Sequence, residues 1–336
     1  MHVIMITGSY PPDYCGVGDY TAKLVAELKA SNNDVEVVAG KNWNFFSLIN
    51  WIKTIVSRRP DVVHFQYPTV GFGKSLVPQL LSIMLKKKAI VVTIHEFYCA
   101  NILRKLAIVP FIIAADHLIF TTSFERNYIL KYFPWARKKS LIIPIGSNVR
   151  LSHENKEEKD SKAVAYFGLI MPKKGMEQFI ALAQLSKLQR CGFKFIVIGA
   201  VNERHKDYYD YLRKIAEGSD ILWEIDHCLE HAATLLARNY YAYLPFPDGV
   251  SERRGSFFAA LEAGLAVITT KGEFTTKEIS EVVDIVENEN EALSLLNKMV
   301  KSFDAKEDRA TKVNNYLAVH SWQNIVKMHM QVYDNL

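Results

Sequence analysis

Short apolar runs rich in β-branched residues alternate with longer amphipathic stretches through the first half of the chain. The apolar runs predict six strands, at Val3–Thr7, Val35–Val38, Val62–Gln66, Ile90–Ile94, His117–Thr121 and Leu141–Pro144. The amphipathic stretches predict helices, of which the clearest are Tyr20–Ala30, Phe46–Ser57, Lys74–Lys86 and Ser123–Phe133. Uninterrupted apolar strands separated by helices indicate a parallel sheet that is covered by helices on both faces.

A very polar stretch, SHENKEEKDSK (Ser152–Lys162), follows this half and is predicted to be a solvated linker. Beyond it the alternation resumes, with strands predicted at Ala163–Gly168, Phe193–Ile198, Ile221–Glu224, Tyr241–Pro245 and Ala266–Thr269. From about Ala292 the chain is predicted to be helical. We therefore expect two parallel α/β domains, over residues 1–150 and 163–315, and a C-terminal helix over residues 316–336.

Composition narrows the class of protein. The chain has 336 residues, of which 49% are hydrophobic and 23% charged, as is typical of two globular domains. A net charge of +5 permits an anionic ligand without requiring nucleic acid. The four cysteines form no C-x-x-C pair, which argues against a disulfide framework or zinc site and favours a reducing cytoplasm. No signal peptide and no membrane-spanning apolar run is predicted.

Two loops of the first half carry candidate chemistry, because ligands bind beyond the carboxyl ends of parallel strands. After the first strand, Gly16 and Gly18 precede a helix predicted from about Tyr20, where close backbone approach and the helix dipole suit an anion. This loop lacks a complete G-x-G-x-x-G motif, and a plain glycine-rich turn is the alternative. After the fourth strand, His95 suits contact with a sugar hydroxyl or proton transfer; a buried structural histidine is the alternative.

Two loops of the second half have the pattern of a phosphate site. In VAYFGLIMPKKGMEQF, a strand ends at Gly168 and Lys174 precedes a helix, where ammonium and helix dipole both favour an anion. In LPFPDGVSERRGSFFAALEAG, a second helix is expected to present free amides at three residues, Gly255, Ser256 and Phe257. Glu262, further along that helix, can accept hydrogen bonds from ribose hydroxyls. A solvated lysine pair is the alternative for the first loop, but the second loop favours a diphosphate ligand.

On these residues the chain resembles glycosyltransferase family 4, a group of retaining enzymes with the GT-B fold. The resemblance spans nearly the whole chain, and the segments that carry it are GVGDYTAKL, VVTIHEF, AADHLIFTTSFERNYI, LIIPIGSNV, VAYFGLIMPKKGMEQFI and HSWQNIVKMHMQVY. It implies an α/β architecture of two Rossmann-like domains that face each other across a cleft. It also implies that the C-terminal helix packs back on the N-terminal domain.

The resemblance assigns roles as well. It implies that Lys174 and the amides of Gly255–Phe257 hold the diphosphate of a nucleotide-sugar donor, and that Glu262 holds its ribose. His95 would contact the donor sugar, and the loop at Gly16–Gly18 would lie between donor and acceptor. The acceptor, a glycan or a lipid-linked saccharide, would bind the N-terminal domain. Transfer with retention of configuration, in bacterial surface polysaccharide assembly, is the activity that the resemblance implies.

Two departures from the family pattern lie in the donor site. The arginine that the family has after the strand glycine is Leu169 here, and the first glutamate of its paired motif is Arg254. We hypothesise that Arg254, or Arg253, supplies the phosphate charge missing at Leu169. Glu252 or Asp248 would then replace the lost carboxylate. The candidate catalytic residues are accordingly His95, Glu252 and Arg254.

Other chemistries are expected to be absent or remain alternatives. Because no D-x-D pair ends a strand, no metal is expected, and no cofactor besides the donor substrate. The exchange at Arg254 keeps a non-catalytic nucleotide-sugar-binding protein as one alternative. A sugar-nucleotide 2-epimerase, which shares the fold, is another. A dinucleotide-dependent oxidoreductase is disfavoured by the incomplete glycine motif.

The N-terminal half is also aromatic and basic. KNWNFFSLINWIKTIVSRRP combines tryptophans and phenylalanines with lysines and arginines, and LKKKA and KYFPWARKK add further cations. Such segments fit peripheral contact with the inner face of the plasma membrane. Amphipathic helices that merely cover a parallel sheet are the alternative.

Overall fold

A computed structural model describes residues 1–13, 15–40, 42–98, 100–146, 159–301 and 306–336, the last range without the side chains of 306–308. The chain divides into two compact units. Unit 1 comprises Met1–Ile145 and Ser321–Leu336, and unit 2 comprises Gly146–His320. Each unit is built around its own six-stranded sheet, and the paired strands are parallel. The expected pair of parallel α/β folds is therefore confirmed.

Unit 1 begins with six strands that overlap the six predicted ones: β1 (His2–Thr7), β2 (Asp34–Ala39), β3 (Val62–Tyr67), β4 (Ala89–Ile94), β5 (His117–Phe120) and β6 (Ser140–Ile142). Their order in the sheet is β2-β1-β3-β4-β5-β6. The helices between them are α1 (Gly16–Ala30), α2 (Leu48–Ser57), α3 (Val77–Met84), α4 (Ile102–Ala107), α5 (Val109–Ala114) and α6 (Ser123–Tyr132).

The strands of unit 1 are buried on both faces, and alternate residues enter two separate cores. Ile4, Val63 and Phe65 lie in a core that α2, α3, α5 and α6 complete. Val3 and Met5 lie in the opposite core, which α1 covers. This two-sided burial explains why the strands are continuous apolar runs in the sequence.

Unit 2 repeats the architecture with β7 (Asp160–Ile170), β8 (Lys194–Val201), β9 (Leu222–Ile225), β10 (Asn239–Leu244), β11 (Ala266–Thr269) and β12 (Asp284–Ile285). The order in the sheet is β12-β11-β10-β7-β8-β9. Its helices are α7 (Met176–Leu188), α8 (Lys206–Ile215), α9 (Leu229–Ala237), α10 (Gly255–Glu262), α11 (Lys277–Val282), α12 (Glu289–Lys301) and α13 (Lys306–Val319).

The predicted linker Ser152–Lys162 is partly wrong, because residues 160–162 already belong to β7. Lys159, just before that strand, donates from Nζ to the carbonyls of Ala263 and Gly264 at the end of α10. Its charge thus satisfies carbonyls that a helix leaves without partners. The remainder of the predicted linker, residues 152–158, lies outside the described residues.

The final helix, α14 (Trp322–Asp334), belongs to unit 1 although α13 before it belongs to unit 2. The Ser321 side chain caps it by accepting a hydrogen bond from the Asn324 amide at 3.3 Å. Ile325 and Tyr333 are buried in the same core as α1. The prediction that the last helix packs on the N-terminal domain is confirmed. None of the helices in the described ranges combines the length and the hydrophobicity that a membrane span needs.

The strand orders fix where a ligand crevice opens. In unit 2 the chain runs outward from β7 to β8 and β9 on one side, and from β10 to β12 on the other. Loops after β7 and β10 therefore leave the sheet in opposite directions, and a crevice forms between them. In unit 1 the same reversal lies between β1 and β3.

Candidate active site

The crevice of unit 2 brings together the two loops that carried the phosphate pattern. Gly175 has φ +82°, and a Cβ added there would lie 1.9 Å from the carbonyl oxygen of Pro245. The loop after β7 thus touches the loop after β10 at a point where only glycine fits. A Cβ at Gly168 would lie 3.6 Å from that of Ser256. The end of β7 and the start of α10 are therefore neighbours.

The start of α10 offers two backbone amides. Arg254 holds the N-cap position in an extended conformation, and its carbonyl accepts the Phe257 amide at 3.0 Å. The expectation of a free amide at Phe257 is therefore wrong, because the first turn of the helix uses it. Within the described part of the chain, no hydrogen bond uses the amides of Gly255 and Ser256. These two N–H groups, at the positive end of the helix dipole, suit an anion.

The buried Tyr166 lies next to both loops of this crevice. The Tyr166 hydroxyl donates to the carbonyl of Lys174 at 3.1 Å. Burial raises the pKa of Tyr166, and the positive charge of Arg254 opposes part of that rise, so the guanidinium lies near the same hydroxyl. Lys174 is half-buried, whereas Lys173 is exposed. The Lys174 backbone and the Arg254 guanidinium therefore both lie beside the Tyr166 hydroxyl in this crevice.

Asp248 and Phe246 help to hold the Arg254 side chain in position. Its Nη2 donates to a carboxylate oxygen of Asp248, and its guanidinium lies 4.7 Å from the ring centre of Phe246. The arginine side chain is 15% exposed, so the guanidinium is partly accessible but restricted in its motion. A cation with a fixed direction costs little conformational entropy when it binds an anion.

The neighbouring arginine points elsewhere. The Arg253 guanidinium lies 4.6 Å from the ring centre of Phe274, in the segment after β11. Leu169, where the family has its arginine, is 57% exposed at the end of β7. The geometry therefore favours Arg254 over Arg253 as the cation that compensates for Leu169, and this compensation stays a prediction.

The two candidate glutamates lie in different surroundings. Glu262 is half-buried and is the last residue of α10, about 10 Å along the axis from the helix start. Glu252 lies before α10 and is also half-buried; burial, and then the charge of Glu278, raise its pKa to about 7. No ion pair of the described residues includes Glu252. Burial, and then the charge of Glu252, raise the pKa of Tyr316 on α13.

The glycine loop of unit 1 differs from its prediction in one respect. Helix α1 begins at Gly16 rather than near Tyr20, because the extended Cys15 supplies its N-cap. Gly18 is buried, and a Cβ there would lie 2.9 Å from the Ser9 carbonyl, so close packing requires this glycine. Gly16 is exposed, and no described atom lies within 4 Å of an added Cβ. Of the pair, only Gly16 leaves room for a ligand.

His95 follows β4 at the carboxyl edge of the unit 1 sheet, and it is 8% exposed. Its Nε2 lies 2.7 Å from Oε1 of Gln66, and its ring makes an edge contact with Tyr20, with centres 4.9 Å apart. Burial, and then the proximity of His329, lower the pKa of His95 to about 3. The ring is therefore neutral at physiological pH.

Sequence reasoning missed the partners of His95. Gln66 and His64 stand at every second position of β3, VVHFQY, and both are fully buried. Polar residues at alternate positions of a strand share one face of the sheet. That period of two, in a strand predicted to be apolar, was the available signal.

Comparison with solved structures identifies the fold. HepE (Alr3699) of Anabaena, solved with UDP and glucose, is 14% identical, with a TM-score of 0.69 over 100% of both chains. The chain has the GT-B fold. A glycosyltransferase of Rickettsia africae is 13% identical, with a TM-score of 0.70 over 99% of this chain and 98% of that one. WaaG, a glycosyltransferase involved in lipopolysaccharide biosynthesis, is 14% identical, with a TM-score of 0.68 over 98% and 99%. No protein-family model and no curated protein matches the sequence.

Glu252 yields a prediction about stability and pH. Its pKa is about 7 in the fold and 4.5 ordinarily, so between these values the folded state holds a proton that the unfolded chain has released. The contribution of Glu252 to the free energy of unfolding therefore falls as pH rises through this range. We expect Glu252→Gln, which cannot ionise, to match the parent near pH 4.5 and to exceed its stability by about 3 kcal/mol at pH 8. Urea unfolding followed by circular dichroism at both pH values measures the difference.

A matched control is Glu281→Gln on α11, where the carboxylate is 53% exposed and pairs weakly with Lys277 at 3.9 Å. Removal of such a surface pair should change stability little at either pH. Equal stability of parent and Glu252→Gln at pH 8 would contradict the burial of this carboxylate.

Proposed function

We propose that this protein is a glycosyltransferase that moves a sugar from a nucleoside-diphosphate donor to a hydroxyl of a glycan or lipid-linked acceptor. The proposal rests on one observation: the Lys174 backbone, the Arg254 guanidinium and the amides of Gly255 and Ser256 belong to one crevice of unit 2. A held arginine, a lysine on the neighbouring loop and a helix start suit a diphosphate. The UDP complex of HepE, which has the same fold, is consistent with such a ligand here.

Electrostatics at this crevice would drive the reaction. When the bond from the anomeric carbon to the diphosphate oxygen breaks, negative charge accumulates on the diphosphate. Arg254 and Lys174 stabilise that charge more strongly as it grows, which lowers the barrier. Glu262, further along α10, accepts hydrogen bonds from the ribose. We assign no step to Glu252, whose electrostatic neighbours are Glu278 and Tyr316.

The resemblance to family 4 supplies the stereochemical part of the proposal. The acceptor oxygen attacks the anomeric carbon on the face that the diphosphate leaves, so configuration is retained. The acceptor proton passes to the departing phosphate oxygen, and a sugar–oxygen bond replaces the sugar–phosphate bond. His95 contacts the donor sugar. Since the protein's own cations neutralise the diphosphate, the proposed reaction needs no metal. The proposed biological setting is surface polysaccharide assembly.

Incubation of the full chain with UDP-, GDP-, dTDP- and ADP-sugars, with and without EDTA, tests the proposal. We expect one donor to be hydrolysed slowly, and transferred faster once a hydroxyl acceptor is added, at rates that EDTA leaves unchanged. Mass spectrometry and proton NMR follow the product and its anomeric configuration. Tight binding without turnover would indicate a non-catalytic binding protein instead. Release of the 2-epimer of the sugar would indicate an epimerase.

Removal of the proposed phosphate cation should weaken the donor interaction. We expect Arg254→Ala to raise the KM for the donor about tenfold to a hundredfold, because a hydrogen bond to a charged group contributes about 1.5–3 kcal/mol. Arg253→Ala is the matched control, and it should raise KM much less because its guanidinium lies over Phe274. Steady-state kinetics with the active donor measures both.

The Asp248 carboxylate left behind by Arg254→Ala could itself repel the donor. The double variant Asp248→Asn/Arg254→Ala removes this charge, and we expect its donor KM to remain raised. A donor KM restored to the parent value in the double variant, or equal effects of the two arginines, would refute the role of Arg254.

The acceptor part of the proposal includes contact with an anionic membrane surface. Unit 1 exposes Phe45 and Phe46, which both lie in the short helical turn Phe45–Ser47 before α2, and Phe46 is 91% exposed. Phe45, Leu76 and Lys74 line a groove of about 450 Å³. Exposed aromatic residues beside a lysine fit the boundary between acyl chains and anionic headgroups.

Phe46→Ser should weaken this contact. Because the ring would bury apolar area in the bilayer, we expect its loss to lower binding to phosphatidylglycerol vesicles about tenfold. Leu188→Ser, at an apolar position of unit 2 that is 80% exposed, is the control and should leave vesicle binding unchanged. Vesicle co-sedimentation measures binding, and phosphatidylcholine vesicles test the need for charge. Failure of the parent protein to bind anionic vesicles would remove this part of the proposal.

A further inference from the structure

The hydroxyl of Tyr166 connects the core of unit 2 to the loop that follows β7. Tyr166 lies within β7, and only 2% of its surface is exposed. Its ring makes an edge contact with Phe179 of α7, with ring centres 5.7 Å apart, and its hydroxyl donates to the carbonyl oxygen of Lys174 at 3.1 Å. A buried side chain thus holds one peptide group of the loop in place.

The backbone on either side of Lys174 adopts conformations that need support. Lys173 has φ +65° and Gly175 has φ +82°, and both values lie in the left-handed region. A lysine rarely adopts this region, and it does so where surrounding contacts hold it there. The hydrogen bond from Tyr166 to the intervening carbonyl supplies one such contact.

A second contact fixes the other end of this short segment. Gly175 packs so closely against Pro245 that an added Cβ would lie 1.9 Å from the carbonyl oxygen. The Lys174 backbone is therefore held between β7 and the loop after β10. Because Lys174 is also half-buried, its side chain has less freedom than that of a fully solvated lysine.

The ring of Tyr166 also lies near the start of α10. A Cβ added at Gly168 would lie 3.9 Å from Cε1 of Tyr166 and 3.6 Å from Cβ of Ser256. The guanidinium of Arg254 lies near the hydroxyl of the same tyrosine. Tyr166 therefore bonds to one loop of the crevice and lies beside the helix start of the other.

We propose that Tyr166 is a positioning residue for the donor diphosphate: its hydroxyl holds the backbone of Lys174 so that the ammonium group of this lysine reaches the anion that Arg254 and the α10 amides bind. This inference rests on the proposed function and deepens it, because it names a residue that acts on the donor through Lys174 without touching the donor. Phenylalanine would fill the same space in the core but could not donate the hydrogen bond.

Labelling of the full chain with ¹³C-carbonyl lysine and ¹⁵N-glycine makes this peptide group visible by NMR. The sequence contains two Lys-Gly pairs, Lys174–Gly175 and Lys271–Gly272, so a spectrum that correlates carbonyl and amide should show two peaks. We expect Tyr166→Phe to change the carbonyl shift of Lys174, because the carbonyl loses its hydrogen bond. The peak of the second pair is the internal control and should stay in place.

Titration with inorganic pyrophosphate, which carries the diphosphate without a base or a sugar, measures the anion site by itself. We expect Tyr166→Phe to raise the Kd for pyrophosphate about three- to tenfold, the effect of one lost hydrogen bond. A double-mutant cycle tests the route of this effect. Lys174→Ala keeps the carbonyl but removes the ammonium, so in that background Tyr166→Phe should change the Kd less than about twofold.

Tyr243→Phe is the matched control. Tyr243 lies on β10, is fully buried, and stacks on the same Phe179 ring with centres 6.5 Å apart. No hydrogen bond of the described residues uses its hydroxyl. We expect its loss to leave the Kd and both Lys-Gly peaks unchanged. Thermal melting of both tyrosine variants identifies any general loss of folding.

Several results would overturn the inference. They are an unchanged Lys174 carbonyl shift in Tyr166→Phe, an equal rise of Kd with and without the Lys174 ammonium, and the same rise in Tyr243→Phe. A parent chain that does not bind pyrophosphate would overturn it as well, while the donor panel still decides the proposed function. Conversely, the expected cycle in a chain that transfers no sugar would refute the proposed function and leave the role of Tyr166 at the anion site intact.

Discussion

The parallel pairing of β7 with β10 is the constraint on which the candidate site depends. Tyr241 and Ala242 of β10 pair with Val164 and Ala165 of β7, so both strands end at the same edge although about eighty residues separate them. The loops that follow turn away from each other and leave a crevice. Without this pairing, Lys174 and Arg254 would be two surface cations in different parts of the chain. With it, the Lys174 backbone and the Arg254 guanidinium lie at one crevice.

The sequence predicted the strands well and the details of the loops less well. Strands such as β4 and β8 are continuous apolar runs because both faces are buried, and this pattern has few alternatives. The two-residue strand β12 carries too few residues for any pattern and was missed. The start of α1 was placed too late, because glycines at 16 and 18 resemble a loop until the extended Cys15 is known to cap the helix.

The candidate residues divide in the same way. Lys174 and Gly255 could be proposed from the sequence because phosphate sites need cations and free amides after strands, and local sequence specifies both. The first turn of α10 uses the Phe257 amide, and Arg254 pairs with Asp248. Both depend on backbone geometry that cannot be predicted from the sequence. His64, Gln66 and Tyr333 become a network only when residues more than 250 positions apart meet in one core. Local sequence patterns do not predict long-range contacts of this kind.

Because α14 belongs to unit 1, translation completes unit 2 before it completes unit 1. The whole of unit 2, through His320, is translated before the segment that begins at Ser321 and completes unit 1. Until that segment emerges, the apolar surface of α1 and the ring of His64 have no cover on that side. The unit that is started first is thus completed last. Any truncation within α14 would therefore disrupt the core of unit 1, at the opposite end of the chain.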